Sequence, residues 1–335
     1  MPAMSLPKPT LLIVGAGSIG ERHLRCFQST GRADVALCET DGNLRTTIAD
    51  RYRVGAFADF HAALDTGNFD GIVICTPAHI HIPMATAALR AGAAVLVEKP
   101  LGTNIEGTDA LLRLRDERNV PVAVAYVLRF TPATQQARAL LRTGELGRPL
   151  HAVTVSGQHF PTFRPAYRDI YYARHETGGG AIQDALTHSA HTMEWLLGPA
   201  EAVFCDAAHQ ALEGVEVEDT VNVLARNAGV LVTYALNQFQ APNEKTLWLH
   251  CEMGSIKIEF HRNRWGVLRH GEAAWKWHEA PVEDRDTLFR AQADAFLDAL
   301  EGKNTHLCSL EEGIQTLKFN LAALDSARSG KRVTL

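Results

Sequence analysis

The sequence predicts an α/β protein, with a doubly wound parallel sheet first and then an α+β domain with a large, mostly antiparallel open sheet. Up to residue 126, short β-rich runs alternate with helical patterns, and several runs are apolar throughout, which is typical of a sheet buried on both faces. After residue 126, strand-like segments follow one another between turn signals such as Asn227-Ala228-Gly229. We therefore expect one domain over residues 1–126 and a second over residues 127–335.

The elements of the first domain follow from local pattern. Runs rich in Val, Ile and Leu predict strands at residues 11–14, 35–38, 54–57, 72–75, 95–97 and 122–126. Segments with apolar residues at helical spacing predict helices at residues 19–30, 43–51, 60–64, 83–91 and 106–118. This strand–helix alternation requires crossover connections and hence parallel strands.

In the second domain, the predicted helices and strands do not alternate regularly. Helices are predicted at residues 132–143, 179–197, 286–300 and 310–329. Strands are predicted at residues 151–156, 202–206, 220–226, 230–236, 246–251, 255–260, 265–269 and 274–278. The turn signals between the later strands favour an antiparallel meander with helices on one face.

Composition excludes several classes of protein. The 335 residues include 33 Lys and Arg against 38 Asp and Glu, so a net charge of −5 predicts neither a nucleic-acid nor a membrane partner. The six cysteines form no C-x-x-C pair, which argues against a disulfide scaffold and a zinc site and favours reduced thiols in the cytoplasm. Residues 1–10 contain three prolines and no apolar core, so we expect no secretion signal.

A glycine-rich motif, Gly15-Ala16-Gly17-Ser18-Ile19-Gly20, follows the first strand and opens the first helix. In that context Gly15 permits the tight turn, Gly17 lets a pyrophosphate approach the backbone, and Gly20 allows close helix–strand packing. The helix start at Ser18 and Ile19 then offers N–H groups to the phosphates. The motif predicts a dinucleotide site.

An acidic residue is expected at the end of the second strand to bind the ribose hydroxyls. Glu39 stands there, 19 residues after Gly20, with Thr40 beside it. A carboxylate at this position would repel a 2′-phosphate, so NAD is favoured over NADP. Arg45 on the next helix remains able to reach a phosphate.

Further motifs resemble the glucose–fructose oxidoreductase / inositol dehydrogenase / rhizopine catabolism (Gfo/Idh/MocA) family. The resemblance covers nearly the whole chain, in order. It is carried by Gly15–Gly20, Cys75-Thr76-Pro77 with His81, Glu98-Lys99-Pro100, Arg129-Phe130-Thr131-Pro132, Gly144-Glu145-Leu146-Gly147, Gly178-Gly179-Gly180 with Asp184 and His188, Ser326 and Gly330-Lys331-Arg332-Val333.

This resemblance implies an N-terminal Rossmann domain, a C-terminal domain with a large open sheet, and a homodimer or homotetramer. It also implies oxidation of a secondary alcohol on a sugar or cyclitol with NAD. The family's cofactor-binding positions fall here at the ends of the predicted strands over residues 72–75 and 95–97 and on the turns after them: Cys75, Thr76, Pro77, His81, Glu98 and Lys99. In the family, His81 usually lies near the nicotinamide side.

Lys99 lies just past an apolar strand end, at the edge where open α/β sheets place their ligands. Its ammonium can hydrogen-bond the reacting oxygen and stabilise alkoxide character as hydride departs. The alternative is a surface lysine with its ammonium in water. In the family the following Lys–Pro bond is commonly cis, which favours the functional interpretation.

Asp184 and His188 stand four apart on a predicted helix, so they share one face. A carboxylate beside an imidazole fixes its tautomer and raises its basicity, and His188 can then take the hydroxyl proton. In the family the Asp or the Lys sometimes shares this role, so Lys99 is the alternative base. The triple glycine before the helix favours close approach of backbone to ligand.

One position departs from the family, which often has an aspartate three residues after the catalytic histidine. Here that residue is His191. A metal site on the stripe of Asp184, His188 and His191 is weakly supported, because same-face helical spacing converges ligands poorly. We expect no metal, with His191 packing against the sheet or a carboxylate such as Glu194.

Residues 158–176 are crowded with aromatic, arginine and histidine side chains, including Arg168 and Tyr171. Rings stack on sugar faces and arginines bind carboxylate or phosphate, so the segment suggests a sugar acid or a nucleotide sugar. An oligomer interface would show the same enrichment. Tyr126, at the end of the last strand of the first domain, lines the nicotinamide pocket or packs in the core.

The leading hypothesis is an NAD-dependent dehydrogenase acting on a ring hydroxyl of a sugar, sugar acid or cyclitol, possibly a nucleotide sugar. It requires that Lys99 and His188 reach the same carbinol. A dinucleotide-sensing protein without activity is the alternative, but it should have lost part of the Lys99, Asp184 and His188 set. A metal-dependent aldolase or hydrolase would ignore NAD.

Overall fold

The computed structural model describes residues 8–335. Residues 1–7, on which most of the expectation about a secretion signal rests, lie outside the described part of the chain. Among residues 8–335, no helix combines the length and apolar character needed to cross a membrane.

The first part of the chain alternates strands and helices as predicted. The strands are β1 (Thr10–Val14), β2 (Asp34–Cys38), β3 (Ala56–Phe57), β4 (Gly71–Ile74), β5 (Ala94–Val97) and β6 (Val122–Val124). The helices are α1 (Ser18–Ser29), α2 (Gly42–Tyr52), α3 (Phe60–Thr66), α4 (His81–Arg90) and α5 (Thr108–Arg118). The Asp41 and Asp59 side chains accept hydrogen bonds from the first turns of α2 and α3 and so cap them.

The middle of the chain carries most of a second sheet. The helices are α6 (Pro132–Arg142), the single turn α7 (Phe160–Phe163) and α8 (Thr187–Leu197), and a π-helical turn over Ile182–Leu186 leads into α8. The strands are β7 (Pro149–Gly157), β8 (Ala200–Ala208), β9 (Thr220–Asn227), β10 (Val230–Asn237), β11 (Glu244–Cys251), β12 (Gly254–Glu259), β13 (Arg264–Arg269) and β14 (Lys276–Glu279).

Two helices and two short strands complete the chain. They are α9 (Arg285–Leu300), β15 (Cys308–Ser309), α10 (Leu310–Ser329) and β16 (Val333–Thr334). Asp284 and Thr287 form a capping box at the start of α9. The two-residue strands β15 and β16 were not predicted, because so short a run has no periodicity.

The first sheet has seven strands in the order β15-β6-β5-β4-β1-β2-β3, parallel except where β15 meets β6. Strand β1 pairs with β2 on one side and β4 on the other, so the direction of winding reverses beside β1. A crevice forms at such a switch point, outside the carboxyl ends of the strands. The glycine-rich turn directly follows β1.

The second sheet has nine strands in the order β14-β13-β12-β11-β7-β10-β9-β8-β16. The prediction of an antiparallel meander is correct for β8 to β10 and for β11 to β14. It is wrong at the centre, where β7 lies between the two runs, parallel to β10 and antiparallel to β11. An early strand can take that place because residues 158–199 lead the chain away before β8 begins.

Burial distinguishes the two sheets. Strands β1, β4 and β5 are apolar and buried at almost every residue, because helices cover both faces. Strand β9 alternates, with Val221, Val223 and Ala225 in the core and Asn222, Leu224 and Arg226 outward. The core face of the second sheet packs against residues of α6, α8 and α10.

The chain forms two compact units, and each unit is made of three separate stretches of sequence. Of the described residues, the first unit takes in residues 8–101, Glu106–Val127 and Asp284–Glu311. The second takes in Gly102–Ile105, Leu128–Glu283 and Glu312–Leu335. This differs from the expected division at residues 126 and 127, because α9 packs on α1 and β15 pairs with β6. Helical periodicity shows that α9 buries a face but does not show against which sheet.

Candidate functional site

The glycine-rich turn has the geometry that a dinucleotide cradle requires. Gly15 has φ of +93°, and a Cβ on Gly20 would lie 1.8 Å from the Gly15 carbonyl oxygen. These two glycines therefore shape the turn itself. A Cβ on Gly17 would instead meet no protein atom within 4 Å. The space over Gly17 is therefore open to a bound group.

Helix α1 begins at this turn with no side-chain cap. Its N-cap residue is Gly17, which has no side chain and so provides no cap for the first N–H groups at Ser18 and Ile19. These N–H groups, together with the helix dipole, suit an anion. The open space over Gly17 and the uncapped helix start together fit a pyrophosphate.

Glu39 lies next to the glycine-rich turn. Its Oε2 accepts a hydrogen bond from the backbone N–H of Ala16 at 2.7 Å, and its Oε1 accepts one from Asp41 N at 2.9 Å. The carboxylate is thus held beside the turn while retaining lone pairs for ribose hydroxyls. Arg45, considered for a 2′-phosphate, donates through Nη1 to the carbonyl oxygens of Glu39 and Thr40 at 2.7 and 3.3 Å. The site therefore fits NAD.

His81 connects two turns at the carboxyl edge of the first sheet. It is buried, with Nδ1 2.9 Å from the Pro100 carbonyl oxygen and Nε2 2.7 Å from that of Thr76. Burial lowers the pKa of His81, and the two carbonyls oppose that shift. Because both ring nitrogens contact backbone carbonyl oxygens, His81 positions the turns at Thr76 and Pro100. Cys75, at the end of β4, is also buried, and Pro77 is exposed.

Lys99 and Pro100 follow β5 and are joined by a cis peptide bond. Glu98, before them, is buried, accepts a hydrogen bond from His23 Nε2 at 2.7 Å, and accepts another from the Lys99 backbone N–H at 3.0 Å. Burial acts to raise the pKa of Glu98, but His23 and Lys99 outweigh it and leave that pKa below its usual value. His23 could not be found from the sequence, because 75 residues without a shared motif separate it from Glu98.

In the second unit, the π-helical turn before α8 carries Asp184. Its side chain is buried, with Oδ2 accepting from Arg164 Nη1 at 2.8 Å and Oδ1 accepting from the Tyr171 hydroxyl at 2.6 Å. The Asp184 charge raises the pKa of Arg164, so this arginine stays protonated. That Asp184 and His188 share one face stays a prediction.

Glu218 binds the backbone at the start of the π-helical turn. Its backbone carbonyl accepts from Ala181 N at 2.9 Å, and its Oε1 accepts from Ile182 N at 2.9 Å. A Cβ on Gly180, which has φ of +84°, would lie 2.6 Å from the Glu218 carboxylate. The triple glycine was expected to let a ligand approach the backbone closely. At Gly180 the group that approaches the backbone is the Glu218 carboxylate.

His175 contacts the other oxygen of the same carboxylate. Its Nε2 donates to Glu218 Oε2, and this hydrogen bond, against partial burial, raises the pKa of His175. The pair links the segment after Tyr171 to the helix start. Neither residue was singled out from the sequence, because 43 residues separate them without a motif.

His191 belongs to a chain of buried hydrogen bonds. Arg129 Nε donates to its Nε2 at 2.6 Å, its Nδ1 lies 3.0 Å from Thr316 Oγ1, and Thr316 donates to Glu194 Oε2 at 2.6 Å. Burial lowers the pKa of His191 far below its usual range and raises that of Glu194 to about 7. His191 was expected to pack against the sheet or a carboxylate such as Glu194. The structure links His191 to Glu194 through the Thr316 hydroxyl.

Two other predicted substrate residues are placed as follows. Tyr126 is fully buried in the first unit. Arg168 Nε donates to the Tyr167 hydroxyl at 3.0 Å and to the Glu213 carbonyl at 2.8 Å. Arg168 therefore ties its segment to the neighbouring loop. No group of three or more His, Cys, Asp or Glu side chains suited to a metal ion occurs within residues 8–335.

A glycine-rich turn at the switch point of a doubly wound sheet, with Glu39 beside it, defines an NAD-binding oxidoreductase class. Family models agree: residues 10–126 match the oxidoreductase family with an NAD-binding Rossmann fold, and residues 134–257 match the GFO/IDH/MocA C-terminal domain. The chain belongs to the Gfo/Idh/MocA oxidoreductase family.

Individual relatives share only about a quarter of the aligned residues with this chain. The chain is 25% identical over 327 residues to the 1,5-anhydro-D-fructose reductase of Ensifer adhaerens, covering 95% of this chain and 96% of the relative. It is 29% identical over 222 residues to the inositol 2-dehydrogenase of Acidothermus cellulolyticus, covering 64% and 62%. The second alignment spans less than two thirds of that relative.

Solved structures show the same fold. The WlbA dehydrogenase from Bordetella pertussis, in complex with NADH and UDP-GlcNAcA, superposes with a TM-score of 0.84 at 25% identity, over 98% of this chain and 99% of that one. A levoglucosan dehydrogenase in complex with NADH gives a TM-score of 0.88 at 21% identity, with the same coverage. The predicted fold class, a Rossmann-like parallel sheet followed by a mostly antiparallel sheet, is confirmed.

Proposed function

We propose that this protein transfers hydride between NAD and a secondary hydroxyl of a sugar, a sugar acid or a cyclitol, a nucleotide sugar included. The observation that carries the proposal is a full set of proton-handling side chains, Lys99, Asp184 and His188, in a chain whose first sheet ends in a dinucleotide cradle. Relatives named as an anhydrofructose reductase and an inositol dehydrogenase support this substrate class.

NAD held by the Gly15–Gly20 turn and Glu39 would supply the hydride acceptor for the carbinol carbon. The ammonium of Lys99 donates a hydrogen bond to the reacting oxygen and stabilises its developing negative charge. His188 accepts the hydroxyl proton, so that a ketone forms. Asp184 stabilises the imidazolium, and Arg164 and Tyr171 fix the carboxylate of Asp184.

The cofactor contacts in this proposal come from the first unit. The backbone from Gly15 to Gly20 holds the pyrophosphate, and Glu39 with Thr40 faces the adenosine ribose. The turns that carry Cys75, Thr76, Pro77, His81 and Glu98 hold the nicotinamide half, with His81 fixing the two turns relative to each other. Tyr126, Arg168 and Tyr171 shape the substrate pocket, Arg168 through its hold on the loop at Glu213.

The proposal includes a homodimer or homotetramer in the cytoplasm. On the outer face of the second sheet, exposed apolar side chains lie on neighbouring strands, including Phe204, Leu224 and Leu231. A patch of this kind favours association between copies. All six cysteines are buried free thiols, which suits a reducing compartment.

The test is turnover with NAD against a panel of sugars, sugar acids and cyclitols, followed by NADH absorbance. We expect NADH formation with at least one polyol, unchanged by a chelator. NAD binding without NADH formation from any polyol would contradict the proposal and indicate a dinucleotide sensor. Activity that ignores NAD and is lost with a chelator would indicate metal-dependent chemistry.

A further inference from the structure

Lys245 is a cation on the core face of the second sheet. It lies on β11 opposite Ser156 of β7, in the alternation that sends Leu247 and Leu249 into the core. Its ammonium lies 5.1 Å from the ring centroid of Phe260. A ring face attracts an ammonium but does not neutralise it.

No carboxylate ion-pairs with Lys245 among residues 8–335. The nearest acidic residue on the neighbouring strand, Glu259, pairs with Thr246 and so projects to the opposite face of the sheet. There its carboxylate binds Lys257 at 2.8 Å and Arg264 at 2.6 Å.

Burial of the ammonium lowers the pKa of Lys245 to about 7, and no charged group contributes to that shift. The residue nevertheless keeps part of its surface open to solvent. A desolvated ammonium without an anion is unfavourable, and an arriving anion restores full protonation. The position is thus prepared for a negatively charged ligand.

The strand register places Lys245 at the same end of the sheet as the start of the catalytic helix. Ser156, its partner, is followed by Gly157 and then by the segment that carries Arg164 and Tyr171 to Asp184. Ser156 also pairs with Leu236 near the end of β10. The start of β9, which follows shortly after Glu218, pairs with the same end of β10. Helix α8 packs on this same core face.

The arginines of residues 158–176 first suggested an anionic substrate, but two of them are already engaged. Arg164 binds Asp184, and Arg168 binds the loop at Glu213. Lys245 lies at the same end of the core face and has no such ion pair. It therefore takes over the role that the sequence suggested for those arginines.

We propose that Lys245 binds an anionic oxygen group of the substrate, remote from the reacting hydroxyl, and so selects sugar acids or phosphate-bearing sugars over neutral polyols. The inference rests on the proposed function and names its substrate class. Both sources, a carboxylate and a phosphate, offer the same charge-assisted hydrogen bond to an ammonium.

The test compares acids with their neutral parents: D-glucuronate with D-glucose, D-gluconate with D-glucitol, and UDP-glucose as the phosphate-bearing arm. Lys245→Met keeps the length and apolar stem without the charge. We expect kcat/KM for the acid or the UDP-sugar to fall by about 10- to 100-fold through KM, with little change for a neutral parent.

Lys257→Met is the matched control, because Lys257 lies 5.2 Å from the Trp248 ring centroid on the outer face but is ion-paired. It should leave every kcat/KM unchanged. Equal losses for acids and neutral parents in Lys245→Met, or activity of the wild-type protein on neutral polyols alone, would overturn the proposal. The carboxylate and UDP arms decide which anion is bound.

A second measurement does not depend on turnover. Trinitrobenzenesulfonate labelling near neutral pH, mapped by mass spectrometry, should modify Lys245 faster than Lys257, and the anionic compounds should protect Lys245 in the NADH complex. If no compound yields NADH but protection occurs, the proposed reaction fails while the anion site stands. Labelling that no anionic compound slows would overturn the anion site.

Discussion

Arg164 donates a hydrogen bond from Nη1 to Oδ2 of Asp184 at 2.8 Å, while the Tyr171 hydroxyl donates to Oδ1 at 2.6 Å. A segment with little regular structure thus fixes the orientation of a buried carboxylate in the π-helical turn before α8. Arg164 also lies over the ring of Phe160, with 5.2 Å from Cζ to the ring centroid. We regard Arg164 as a positioning residue for Asp184.

Arg164→Met should lower kcat by about 10- to 100-fold, because the carboxylate loses its charged donor and its orientation. The acidic limb of the kcat profile should also move to higher pH, since loss of the positive charge beside Asp184 favours protonation of the proposed Asp184–His188 pair. Tyr171→Phe, which removes a neutral donor, should shift the limb less. A loss of thermal stability with an unchanged pH profile would assign Arg164 a purely structural role.

Gly17→Ala separates cofactor binding from folding. The added Cβ meets no protein atom within 4 Å, and φ at Gly17 is −58°, so the unfolding free energy should stay within about 0.5 kcal/mol of wild type. NADH affinity should fall at least about tenfold, since the methyl group enters the space assigned to the pyrophosphate. Fluorescence titration with NADH measures this, and unchanged affinity would place the phosphates elsewhere.

Glu39 governs the choice between NAD and NADP. Glu39→Ser removes the carboxylate that would repel a 2′-phosphate, so the kcat/KM ratio of NAD to NADP should fall by about tenfold or more. Glu39→Gln keeps an oxygen for the Ala16 N–H and tests charge alone. A ratio that neither substitution moves would exclude Glu39 from ribose recognition.

The His175–Glu218 pair makes stability depend on pH. Because the folded-state pKa of His175 is raised, its stabilisation is complete below the unfolded value near 6.5 and is lost as pH rises through the folded value. The His175 side chain is 44% exposed, so the effect should be at most about 1 kcal/mol. Urea unfolding of wild type and His175→Gln should differ at pH of about 5.5 and converge at about 8.5. A constant difference would contradict the assignment.

The sequence predicted the parts of this molecule that depend on local pattern. Continuous apolar runs and the Gly15–Gly20 turn identified the first sheet and its cradle, because both need only neighbouring residues. Glu39 was found because the fold fixes its distance from the turn. The place of β7 in the second sheet was missed, since period-two alternation does not determine which strand lies beside it.

The contacts around Asp184 could not be predicted in the same way. Arg164 lies 20 residues from Asp184, and Glu218 lies 36 residues from Ile182, in segments with no shared periodicity. The composition of residues 158–176 indicated function but did not show which arginine would meet the carboxylate. Lys245 stood out only once burial and strand register were known.

Turnover and NADH affinity in Lys99→Ala and His188→Ala, measured with a polyol that the wild-type protein oxidises, test directly whether these two residues carry the proposed chemistry. We expect kcat to fall at least about 100-fold in each variant while the Kd for NADH stays within about threefold of wild type. Retained turnover in both variants, or loss of NADH binding in both, would contradict the proposed chemistry.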